Sequence, residues 1–262
     1  MAIAKDDIND LRYAKTLLEN PSLAARVSNL LGTPIEKGFV HLPATWKDAV
    51  QRATEKSLAK ALSFAVRTMN DRTRPASSDK AHKFLVIAAG AGGGTFGLPA
   101  LAIELPVTTT IMLRSIADIA RSEGEQISLL ETKIACLEVF ALGGRSKSDD
   151  GAETGYFVVR AALARTISEA TSYIAELGLT REGAPALVKL IAALASRFGI
   201  IVSEKAAAQA IPVIGAAGGA LINTIFIDHF QNMARGHFII RRLEKRYDKD
   251  LIRQEYERIK IH

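Results

Sequence analysis

Five side chains in this 262-residue chain have the types and spacing that acid–base or metal chemistry requires: Glu104, Glu138, Asp228, His229 and His237. Glu104 is the first charge after 20 uncharged positions, residues 84–103, and it precedes Leu105-Pro106. A carboxylate held in apolar surroundings must find a partner or raise its pKa. Arg114, Arg121, His229 and Arg235 are the candidate partners, and Thr108, Ser115, Asp118 and Ser122 continue a polar stripe from Glu104 at helical spacing. Asp228 and His229 follow a second uncharged run, residues 206–227, and His237 lies eight residues further on. Eight residues turn a helix by roughly 80°, so the two imidazoles do not meet on one ion without a bend. Glu104, Glu138 and His229 are therefore the candidate catalytic set, an acid–base site or a metal-assisted hydrolytic site between helices. The competing expectation for Glu104 is a structural ion pair. The paired ExxH signature of di-iron bundles is missing, so neither a metal ion nor a cofactor is assigned.

The glycines raise a different chemistry. Gly92, Gly94 and Gly97 spell GxGxxG behind the apolar run Phe84–Ala89. A dinucleotide site needs that motif between a strand and a helix, with an acid about 20 residues on at a second strand end. That position falls within MLRSIADIARSEG, whose spacing is helical. No GxxxxGK[ST], HExxH or GxSxG occurs either. Gly90, Gly94 and Gly97, and separately Gly215 and Gly219, instead follow the small-residue spacing that lets helices approach closely. They are expected to form packing or binding surface, with Arg114 and Asp228 as neighbouring charges. Both uncharged runs have about the length of a membrane-spanning helix, but Pro99, Gln209, Pro212 and Asn223 interrupt them.

Helices must position these residues. Alanine and leucine dominate the apolar fraction, and no strand-like alternation of useful length appears. The spacing predicts helices over 8–18, 23–31, 46–69, 105–121, 126–142, 156–177, 185–198 and 238–260, with the second uncharged run as a further helical segment. The predicted fold is all-α, a multi-helix bundle around two glycine-rich apolar segments. Residues 1–262 are expected to form one domain: an N-terminal helical extension (1–72), a core (80–245) and a charged C-terminal helix end (246–262).

The formal charge of +6 favours anionic partners. Eight Lys/Arg against three acids between Arg52 and Lys83 concentrate part of that surplus on one segment. Nucleic acid is not an expected partner, because no recognition motif or aromatic platform accompanies the charge. Cys136 is the only cysteine, which excludes an internal disulfide and a cysteine metal cage. The opening MAIAKDDINDLRYAKTLLEN carries acids where an export signal needs a basic start and an apolar core.

Three stretches give the sequence a resemblance: GAGGGTFGLPALAIELPVTTTIMLRSIADIARSEGE (Gly90 to Glu125), FALGG (Phe140 to Gly144) and IPVIGAAGGALINTIFIDHFQNMARGHFIIRRLE (Ile211 to Glu244). In kind and order they resemble the EcsC family. The resemblance implies a bacterial accessory protein linked to an ABC transporter or a membrane, and it supplies no catalytic residue. The expected location is cytoplasmic, peripheral to the inner membrane. The expected partner is a membrane surface or a membrane protein such as an ABC transporter. A hydrolase or peptidase built on Glu104, Glu138 and His229 is the alternative.

Overall fold

The structure, a computed structural model, describes residues 3–19, 23–32, 34–70, 97–143, 155–179, 183–211 and 215–260. Every regular element among them is helical: α1 (Lys5–Leu18), α2 (Leu23–Leu31), α3 (Glu36–Phe39), α4 (Trp46–Thr68), α5 (Gly97–Ser122), α6 (Leu130–Glu138), a 3-10 turn (Val139–Ala141), α7 (Gly155–Leu177), α8 (Pro185–Gln209), α9 (Gly215–Arg246) and α10 (Lys249–Arg258). The fold is all-α, and no strand occurs among the described residues.

Local sequence explains most boundaries. The buried residues of α4 are Val50, Ala53, Thr54, Ser57, Leu58, Ala61, Leu62 and Ala65. They recur every three or four positions, as one helix face against a core must. Pro185 opens α8, where its missing N–H would have had no intrahelical partner. Pro106 lies within α5, and Thr110 Oγ1 donates to its carbonyl at 2.8 Å.

Two predicted helices are divided. The run 206–227 is not one helix: α8 stops at Gln209 and α9 starts at Gly215. Pro212 falls between them in sequence and lies outside the described residues. The segment 238–260 breaks at Tyr247–Asp248, because Asp248 caps a new helix, accepting from the amides of Asp250 and Leu251 at 3.0 and 3.1 Å.

The long helix α9 is the spine, with α1, α2, α5, α8, α10 and the 3-10 turn packed on it. α4 lies against α5 and α8, and α7 against α8. Phe140, Phe198, Phe226 and Phe230 interlock where the 3-10 turn meets α8 and α9, with ring centroids 5.1–6.2 Å apart. Where α1 crosses α9, a Cβ at Gly236 would lie 2.6 Å from Leu18 Cγ and 3.0 Å from the Ala14 carbonyl. Only a hydrogen side chain permits that crossing. Lys15 then ties the two ends of the chain together, donating to the carbonyls of Tyr256 and Ile259 at 2.8 and 2.7 Å. Those are acceptors that the end of α10 leaves without an intrahelical donor.

Candidate functional site

The polar residues of α9 meet separate partners at successive levels of the bundle. At the first level Lys205 of α8 donates to Glu104 Oε1 of α5 at 2.8 Å, and Asn223 Nδ2 of α9 reaches the same oxygen at 3.2 Å. Lys205 is fully buried and its ammonium sits 4.8 Å from the Phe226 ring centroid. Burial lowers its pKa while the Glu104 carboxylate opposes that shift. Removing one partner of such a pair typically costs about 3–5 kcal/mol, because the other charge is left uncompensated. Glu104 thus has the structural ion pair expected of it, with Lys205 in place of the arginines and His229. The hydroxyls of Thr108 and Thr109, close by on α5, have no hydrogen-bond partner among the described residues.

Six residues along α9, a rise of about 9 Å, His229 packs against the end of the 3-10 turn. Burial pushes its pKa down to about 4, the charge of Arg26 adds to this, and a hydrogen bond to the Leu142 backbone opposes it. Gly143 adopts φ +77°, and a Cβ there would lie 2.6 Å from His229 Cε1 and Nε2. The FALGG motif therefore has a mechanical reason: its first glycine makes the left-handed turn and clears the imidazole. His229 Nε2 has no hydrogen-bond partner among the described residues.

Glu138 belongs to a third level, about 12 Å further along α9. Its Oε2 lies 3.9 Å from His237 Nε2, beyond hydrogen-bond range. The other ring nitrogen, His237 Nδ1, is 3.0 Å from the Tyr156 hydroxyl. Burial raises the Tyr156 pKa and holds His237 well below its ordinary value. Both groups are thus neutral, and the direction of the hydrogen bond between them follows the imidazole tautomer. Burial also pushes Glu138 up to about 7, against the pull of Arg160 and Arg241. Arg160 closes the cluster with two hydrogen bonds to Glu244, at 2.7 and 2.9 Å.

Among the described residues, no contact joins any two of Glu104, Glu138 and His229, and no group of three His, Cys, Asp or Glu is placed to hold a metal ion. Each of the three has partners of its own: Lys205 and Asn223 for Glu104, the Leu142 backbone for His229, and His237 nearest to Glu138. Arg114 is exposed, stacked 4.8 Å from the Phe64 ring centroid. Asp228 is half-buried on α9. Gly97 and Gly215 begin α5 and α9, Gly219 is buried, and Gly90 and Gly94 lie outside the described residues.

Sequence reasoning missed Lys205, Asn223 and Tyr156. A signal for Lys205 was present: it is the charge immediately before the run 206–227, as Glu104 is the charge immediately after 84–103. The charges bounding two uncharged runs pair with each other in the interior.

The surface has a distinct character. Among the described residues, one helix, α8, is long and apolar enough to cross a membrane, and less than half of its apolar window is buried. Beside it α4 exposes Arg52, Lys56, Lys60 and Arg67.

A family model described as the EcsC protein family matches residues 14–243. The chain belongs to the EcsC family. The match runs from within α1 to near the end of α9, so the N-terminal helices fall inside the EcsC unit. Their packing agrees with this, since α1 crosses the spine and α4 fills the space beside α5 and α8. No curated protein and no solved structure matches the chain.

Proposed function

We propose that this EcsC protein is an accessory protein that docks on the cytoplasmic face of a bacterial membrane, against lipid or the helices of a transporter of the ABC type. The observation that supports this reading is the pairing of α8, an apolar helix with less than half of its apolar window buried, with the exposed cations of α4. Such a surface offers apolar contact and attraction to anionic headgroups together. Docking is peripheral: Lys205 anchors the far part of α8 in the protein interior through Glu104, and withdrawing the helix would separate that pair. Flotation with vesicles containing phosphatidylglycerol tests the reading. The protein is expected to rise with vesicles at low salt and to be released as salt screens the attraction. Protein remaining wholly in the soluble fraction at low salt would refute membrane docking.

A further inference from the structure

Arg52, Lys56, Lys60, Ser63 and Arg67 lie four, four, three and four residues apart on α4. That spacing keeps them within about 80° of arc along about 22 Å of helix. The four cations are exposed, and none forms an ion pair with a described residue. They make a ridge with a groove on each side. The groove toward α5 has a volume of about 430 Å³ and includes Arg52, Lys56 and Ala102. The groove toward α8 has a volume of about 470 Å³, with Lys60, Ser63 and Arg67 on one side and Leu187, Val188 and Ile191 on the other. Leu62 and Leu187 are buried, whereas Val188 is 51% exposed. An apolar side chain that open, beside exposed cations with no ion-pair partner among the described residues, suits a ligand with both an anionic and an apolar part.

We infer that the groove between α4 and α8 binds an acidic phospholipid of the membrane surface. Lys60 and Arg67 hold the phosphate, Arg67 through its planar fork and Lys60 as a point charge. Leu187, Val188 and Ile191 receive the first part of an acyl chain, and Arg52 and Lys56 reach neighbouring headgroups. The volume lies within the range of ligand pockets. Among the described residues, no aromatic side chain lines either groove, so their described lining lacks the stacking surface that single-stranded nucleic acid uses. The inference rests on the membrane-surface reading and specifies the lipid class and the site.

The test uses the full chain with vesicles of phosphatidylcholine alone or with phosphatidylglycerol. At about 1 kcal/mol per cation, each charge removed lowers binding about fivefold. Lys60→Gln with Arg67→Gln is expected to weaken binding to the anionic vesicles about 25-fold. Val188→Asp is expected to weaken it with every cation kept. Arg165→Gln with Lys249→Gln removes the same charge from other exposed positions and is expected to leave most binding intact. Circular dichroism and melting confirm that each variant keeps the fold. If wild type floats and the Lys60/Arg67 variant floats equally, the site is wrong while membrane docking stands. If wild type floats on neither vesicle, docking fails and the inference falls with it. Inorganic phosphate that displaces the protein more strongly than chloride at equal ionic strength would assign the site to a free anion and overturn the lipid assignment.

Discussion

At the scale of single residues, the interior of this EcsC protein depends on buried ionisable groups with specified protonation states. Glu138 and the two histidines of α9 act in opposite directions with pH. The folded pKa of Glu138, about 7, is above the ordinary carboxyl value. Its contribution to stability is therefore complete in acid, below the unfolded pKa, and is lost as pH rises through about 7. His229, pushed down to about 4, contributes above its ordinary value of 6.5 and loses that contribution as pH falls toward 4. Glu138→Gln keeps the shape and removes the titration. Urea unfolding is expected to find this variant level with wild type near about pH 5 and relatively more stable near about pH 8. An unchanged difference between the two pH values would show that Glu138 does not ionise in this range. The Glu104–Lys205 pair carries a lesson of the same scale. The sequence marked Glu104 as a buried acid in need of a cation, but Lys205 lies 101 residues away, and only the packing of α5 on α8 selects it over nearer arginines.

At the scale of elements, much was legible because local rules act locally. The amphipathic stripe of α4 and the described extents of α1, α4 and α7 followed from apolar spacing and turn residues. The break in 206–227 was less visible. Gln209 and Pro212 marked an interruption, but the uniformly uncharged composition gave no sign of the ends at Gln209 and Gly215. The candidate site was less legible still. Residue types identified Glu104, Glu138, His229 and His237 as candidates for chemistry, but which of them share a level depends on the register of α5, α6 and α8 against α9. Gly143 is the element-scale feature most open to attack. An alanine there meets both the left-handed backbone, costing about 1–2 kcal/mol, and the His229 ring, 2.6 Å from the new Cβ. Gly143→Ala is expected to lower the melting temperature well beyond that of Gly124→Ala. Gly124 also has a positive φ, but nothing lies within 4 Å of its ideal Cβ. Equal losses at the two positions would refute the contact with His229.

At the scale of the whole molecule, Glu104, Glu138, His229 and His237 are buried, and the face proposed to bind is that of α4 and α8. The interior levels on α9 hold the helices in register, which keeps the cations of α4 beside the apolar flank of α8. Recognition through such a face needs no catalytic group. Its most direct test is a polarity-sensitive fluorophore placed on it. Cys136 is fully buried, and burial raises its thiol pKa, so an added surface cysteine labels selectively. Val188→Cys puts the probe in the α4–α8 groove, and Tyr13→Cys puts it on α1, which packs on α9 and α10. On vesicles containing phosphatidylglycerol, emission at position 188 is predicted to shift to the blue while that at position 13 stays unchanged. A shift at position 13 alone, or at neither position while the protein is vesicle-bound, would contradict docking through this face.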